Sequence, residues 1–264
     1  MDLEEYAAGA AGKIPKYLYK YKSLRGPAKK HTRDLIVNQR LYFPGPDELN
    51  DPFECKPNLV TAATVEERKA YATRLANLHG TTIPRAERRR RAKIMDADPN
   101  FMDVMRGAVQ ATLGAAGIYS LSARHLDPLM WPHYADNHRG VCVRFDMQAL
   151  IDADDLVPFR VLYENERPTC DTVREPTEIW LNKAVLTKGQ PWAYEEEWRI
   201  VRNRGARKVV ELTVPTISGV LLGANISPSD RAEVLKWVGD LGRPFGVAQV
   251  KFHAASYAMD IENI

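Results

Sequence analysis

The chain predicts an α+β fold: a mixed, mainly antiparallel sheet as core, with a helical insertion at about residues 62–115. Three observations carry this. Short stretches near the start alternate with period 2, as strands do. A block of helix-spaced segments follows. From Gly117 onward strand candidates return in close succession with few helices between them, unlike the regular strand–helix alternation of a doubly wound sheet.

Residues 1–14 carry Ala and Gly without periodicity and read as a lead-in. Lys16–Lys22 alternates aromatic and charged residues and predicts a strand. Thr32–Asn38 predicts a short helix with Thr32 as N-cap. Arg40–Phe43 predicts a strand stopped by Pro44-Gly-Pro46. Helical spacing then covers Val65–Leu78, ending before Gly80, and continues at Arg85–Met95 and Phe101–Leu113. Further strands are predicted at Ile118–Ser122, Val141–Phe145, Phe159–Tyr163, Trp198–Arg202, Lys208–Thr213 and Ile217–Leu222. Pro228–Leu241 predicts a helix, with Ser227 as N-cap and Pro228 at its first position. Val247–Phe252 predicts a last strand. With no linker, repeat or low-complexity segment, residues 1–264 read as a single domain.

Composition is that of a globular protein, 45% apolar and 27% charged. No run approaches the roughly 18 apolar residues of a membrane span. The acidic start Met1-Asp-Leu-Glu-Glu lacks a signal-peptide pattern, so a cytoplasmic protein is expected. Cys55, Cys142 and Cys170 are far apart, with no CxxC spacing, which argues against a structural zinc site, and Cys142, in the apolar alternation of Gly140–Phe145, reads as a buried thiol. The net charge of +3 is small, yet Arg85–Lys93 holds six basic residues in nine. Such a run either contacts phosphates or forms a solvated helix face.

Three segments concentrate reactive side chains. Leu49-Asn-Asp-Pro-Phe-Glu54 is a turn signal that could also place Asn50, Asp51 and Glu54 on a polar rim. Leu129–Val141 holds Trp131, His133, Tyr134, His138 and Arg139, a set suited to acid–base work or to stacking on a base, or to a short helix whose aromatics fill the core. Trp192–Val201 holds Glu195, Glu196 and Glu197. Read as a strand, it puts Glu195 and Glu197 on one face, where repulsion raises one carboxyl pKa unless Lys188 and Arg199 neutralise them. P-loop, GxGxxG, GxSxG and HExxH motifs are absent.

On Tyr19-Lys-Tyr21, Asn50-Asp-Pro-Phe-Glu54, Met130–Val141 and Tyr194–Arg199 the chain resembles the bacterial and phage family described as domain of unknown function 2971. More distantly it resembles ADP-ribosyltransferases. These build an NAD site from three strands: one bearing Arg or His, one Ser, Thr or Tyr, and one opening on a catalytic Glu. This chain offers Lys20 or Lys22, then Ser120 and Ser122, then Glu195-Glu-Glu197, with Lys and Tyr standing where the first motif wants Arg or His. The resemblance implies an enzyme that uses NAD to modify a macromolecular acceptor, DNA or RNA included, in a toxin or phage-defence setting. Glu197, Glu195, Ser120 and His133 would carry the chemistry. Lys20, Tyr21, Ser122, Trp131, Tyr134, His138, Arg139, Asn50, Asp51 and Glu54 would hold NAD. Two other readings stay open: a metal-dependent nuclease or hydrolase using Asp51, Glu54, His133 and Glu197, and a non-catalytic sensor of a nucleotide or phage protein.

Overall fold

The computed structural model describes residues 13–60, 64–78, 84–97 and 100–264. The first part of the chain runs β1 (Tyr17–Lys22), α1 (Pro27–Asn38), β2 (Arg40–Phe43), β3 (Asn58–Val60), α2 (Val65–Leu78), α3 (Arg85–Ala97) and α4 (Phe101–Gly114). The middle runs β4 (Gly117–Ser122), α5 (Met130–Tyr134), β5 (Val141–Asp146), α6 (Met147–Asp154), β6 (Pro158–Arg160), β7 (Leu162–Glu164) and β8 (Thr169–Asp171). The last part runs α7 (Thr177–Leu186), β9 (Thr187–Gly189), β10 (Glu197–Arg202), β11 (Lys208–Glu211), β12 (Ile217–Leu222), α8 (Pro228–Gly239), β13 (Gly246–Phe252) and β14 (Met259–Asn263).

The main sheet has the order β14-β13-β12-β5-β1-β4-β10-β6. Its neighbours are antiparallel except β12 and β13, so the mixed, mainly antiparallel α+β class is borne out. Alternation sends the strand residues to two differently used faces. Leu18, Leu121, Val143, Phe145, Trp198 and Ile200 form the main core with Leu35 and Ile36 of α1 and Val234 and Trp237 of α8. On the opposite face Ile118 packs with Val109, Leu113, Trp180 and Val185 of α4 and α7. Farther along that face Tyr21, Cys142 and Val250 pack on Met130 and Trp131 of α5.

The helical block is α2, α3 and α4, with no strand among its described residues. Ser227 caps α8 as expected, its hydroxyl accepting from the Asp230 amide at 3.0 Å. Several expectations are corrected. Thr32 is not an N-cap: α1 starts five residues earlier, at Pro27, and the fully buried Thr32 hydroxyl donates to Ala28 O and Ser23 O. Phe159–Tyr163 is two strands, because the Val161 amide turns to Glu197 O between them. The strand from Lys208 stops at Glu211, and the Thr213 amide bonds the Asp154 carboxylate instead. The strand at 246–252 is followed by β14. Of the expected lead-in at 1–14, residues 1–12 lie outside the described residues, and α2 spans Val65–Leu78 as expected.

One irregularity positions the site. β1 pairs with β5 over six residues but meets β4 only at Tyr19↔Ser122. Beyond that bridge the two strands part and a cleft opens between them.

Candidate functional site

The cleft measures about 330 Å³ and is lined by Tyr19, Lys20, Tyr21 and Lys22 of β1, Ser120 and Ser122 of β4, and Asn50, Glu54, Tyr134, Lys188, Glu195 and Glu197. That volume lies in the range of small-ligand sites. Because β1, β4 and β10 are adjacent, Tyr19, Ser122 and Glu197 stand in register across three strands and face the same way.

At one end lies a buried ionic cluster. Arg199 is fully buried and donates to Glu197 from Nε (2.8 Å) and Nη2 (2.9 Å), to Val185 O from Nη1 (2.6 Å), and to Glu54. Lys188 donates to Glu195 at 2.5 Å and to Glu197 at 3.2 Å, and reaches Glu54 at 3.3 Å. Three ionised carboxylates against two cations leave the cluster at 2 − 3 = −1, an excess that raises the pKa of the carboxyl the cations hold least well. The pKa directions name that carboxyl. Burial, and then the neighbouring Glu197, push Glu195 up despite Lys188. Burial opposes ionisation of Glu197 too, but Arg199 and Lys188 hold it down to about 2. The two acids are driven apart by their surroundings.

Each member is delivered by a local device. The turn at Asn50–Glu54 is stitched by the Phe53 amide to Asp51 Oδ1 (2.9 Å) and by the Glu54 amide to Asp51 O (3.2 Å), which sends Glu54 inward and leaves Phe53 68% exposed. Lys188 comes from β9 at the end of the buried helix α7. Glu195 ends a 3₁₀ helix (Gln190–Glu195), Glu196 takes a left-handed φ of 42°, and Glu197 opens β10. Glu195 and Glu197 therefore both turn in while Glu196 meets Arg124 at 2.9 Å. The expected orientation is right, but a left-handed turn produces it rather than strand alternation. Tyr134 Oη donates to Glu195 Oε1 at 2.6 Å, and Ser122 Oγ donates to the Glu195 carbonyl at 2.6 Å.

The other side of the cleft is cationic. Lys20 Nζ donates across the gap to Ser120 O at 2.6 Å. Burial, reinforced by neighbouring Lys22, lowers its pKa to about 7. Lys22 is lowered by burial as well, and no carboxylate pairs with it among the described residues.

Of the nominated residues the cleft gathers Lys20, Tyr21, Asn50, Glu54, Ser120, Ser122, Tyr134, Glu195 and Glu197. It does not gather the rest. Trp131 is fully buried core, with Nε1 donating to His125 O at 3.1 Å. His138 stacks on Trp131 and meets Phe252 edge-on. His133 is exposed and bonds the Tyr194 hydroxyl at 2.8 Å. Arg139 is exposed away from the cleft, and Asp51 serves its own turn. Tyr19 and Tyr163 were not nominated, and Lys22 was offered only as an alternative to Lys20. Period-2 spacing from Tyr21 points to Tyr19, whereas nothing in the sequence ties Tyr163 to the Glu197 amide that it accepts from at 2.8 Å. Among the described residues no group of three or more His, Cys, Asp or Glu side chains is set to hold a metal. The expected buried thiol at Cys142 is present, and Cys55 and Cys170 are free and buried as well. No helix among the described residues is long and apolar enough to cross a membrane.

A family model described as "Protein of unknown function (DUF2971)" matches residues 130–200. The match runs from α5 to β10 and includes Tyr134, Lys188, Glu195, Glu197 and Arg199, while Tyr19–Tyr21 and Asn50–Glu54 lie outside it. No curated protein and no solved structure matches the chain.

Proposed function

We propose that the cleft is the NAD site of an ADP-ribosyltransferase-like enzyme that modifies a macromolecular acceptor. The observation that carries this reading is its polarity: Lys20 and Lys22 on one wall, Glu195 with Tyr134 on the other, and a Tyr19–Ser122–Glu197 row between. A ligand that joins phosphates to a ribose needs cations at one end and an oriented carboxylate at the other. Lys22 supports the fit, as a half-buried cation with no carboxylate partner among the described residues. NAD supplies a ribose carbon whose bond to nicotinamide breaks with the electron pair leaving on nicotinamide.

The chain's own residues divide the work. Glu197 is committed to Arg199 and Lys188, so it fixes the geometry of the cluster rather than meeting the sugar. Glu195 is the carboxylate for the sugar's positive charge and for the proton released by the attacking acceptor. Tyr134 and Lys188 hold it in place. Lys20 and Lys22 take the phosphates. Tyr21 and Tyr134 line the cleft beside them.

Incubation of the protein with NAD and cell extract tests the reading by free nicotinamide and transferred label. Release in the wild type and its loss in Glu195→Gln by several powers of ten supports it. The sensor reading draws on one observation, that Lys188 and Arg199 already satisfy the buried carboxylates. NAD binding by calorimetry without release, in both proteins, selects it. Degradation of nucleic acid only with added divalent metal, with no response to NAD, sinks both in favour of a hydrolase.

A further inference from the structure

The helical block holds a second feature that the cleft does not use. A trough of about 1130 Å³ runs between α2 and α3. Among the described residues its lining includes Lys69, Arg85, Arg88, Arg89, Arg90 and Lys93, and no carboxylate or aromatic ring. Arg85, Arg88, Arg89 and Lys93 follow helical spacing i, i+3, i+4, i+8 and so share one face of α3. Ala92, at i+7 on the same face, leaves the floor open. At 1.5 Å per residue these cations span about 12 Å.

Glu87, the acidic residue in the first turn of α3, is engaged by Arg90 and Arg91 at 3.4 and 3.2 Å. Among the described residues no carboxylate pairs with Lys69, Arg85, Arg88, Arg89 or Lys93, and the buried Nε of Arg88 has no hydrogen-bond partner. Like charges at i+3 and i+4 destabilise a helix unless an anion meets them. A solvated face would mix both signs. This one gathers a single sign around a concave surface, which concentrates a polyanion.

We propose that the α2–α3 trough docks the phosphate backbone of a nucleic-acid strand, without reading its bases. No aromatic ring among the described lining residues offers stacking, so affinity rests on charge. The proposal goes beyond the cleft reading and stands independently of it, because docking needs no NAD.

The test is fluorescence anisotropy with a labelled single-stranded DNA of about 20 nucleotides and no NAD. If the trough neutralises about four phosphates, log affinity falls with log salt at a slope of about −2.8, so about 50-fold is lost from about 50 to about 200 mM salt. Arg88→Ala/Arg89→Ala/Lys93→Ala should bind at least about 10-fold more weakly at the low salt and flatten the slope to about −0.7. An unchanged helical circular dichroism signal shows that the triple variant is folded. Three outcomes overturn the proposal: no binding at low salt, triple-variant binding equal to wild type, or polyglutamate of equal length competing as well as unlabelled DNA. Glu195→Gln should leave this binding intact, so loss of nicotinamide release and loss of DNA binding strike different claims.

Discussion

Replacing Arg199 with Met should destabilise the protein severely, while replacing Glu195 with Gln should not. Arg199 is fully buried and makes four side-chain hydrogen bonds, to Glu197 twice, Glu54 and Val185 O. Met matches much of its volume but supplies no charge. Glu54 and Glu197 would then face each other with only Lys188 between them, taking the cluster from 2 − 3 = −1 to 1 − 3 = −2. Breaking a buried pair by removing one partner costs about 3–5 kcal/mol. At about 2–4 °C per kcal/mol for a chain of this size, Tm should fall by about 6–20 °C. Glu195→Gln goes the other way, to 2 − 2 = 0, which offsets the loss of one of two hydrogen bonds, because its single amide oxygen can accept from Tyr134 or from Lys188 but not from both. Its stability should stay within about 1 kcal/mol of wild type. Thermal unfolding followed by circular dichroism at neutral pH reads both variants. A Tm for Arg199→Met within about 2 °C of wild type would refute the charge ledger. So would a Glu195→Gln loss as large as that of Arg199→Met.

Four further outcomes are expected. Glu197 has a folded pKa of about 2, below the unfolded value of 4.5, so the unfolded state binds more protons between them. The stability from this group is present above pH 4.5 and lost as pH falls through about 2; Glu197→Gln should flatten that acid limb in urea titrations across this window. Nicotinamide release, if the cleft reading holds, should follow a bell in pH. Its alkaline limb lies near 7, where Lys20 loses its proton and its hold on phosphate, and Lys20→Met should abolish that limb. Tyr134→Phe removes a donor that favours ionised Glu195, so the acid limb should move to higher pH and affinity for a carboxylate-bound ribose should fall. Finally, Gly140→Ala should cost about 1–3 kcal/mol by chemical denaturation, because its Cβ would sit 2.2 Å from the Lys22 carbonyl, on backbone that has no side-chain freedom to give way.

The sheet and the helical block were legible because their patterns are local. Period-2 stretches such as Tyr17–Lys22 and Val141–Asp146 state their own faces, and Ser227-Pro228 states a helix start. Helix α7 was missed because Trp180, Leu181, Ala184, Val185 and Leu186 are all buried, so no polar stripe sets off an apolar one. Leu129–Val141 was half legible. Its aromatic and imidazole content marks it as unusual, but only packing separates Tyr134, which reaches Glu195, from Trp131 and His138, which fill space against each other and Phe252.

By itself the sequence determined which residue types the site has to work with: a glutamate run, paired lysines on an alternating strand, and an Asn-Asp-Pro turn. Each is written in consecutive residues, and short-range sterics and alternation act on consecutive residues. Only the tertiary structure decided their roles. The register Tyr19↔Ser122↔Glu197, and the parting of β1 from β4 beyond it, join segments about a hundred residues apart. Of the three carboxylates Arg199 serves only Glu54 and Glu197, and Lys188 is shared among all three, which left Glu195 as the acid with a raised pKa. Charge and burial are sums over neighbours in space, and the chain order does not list those neighbours.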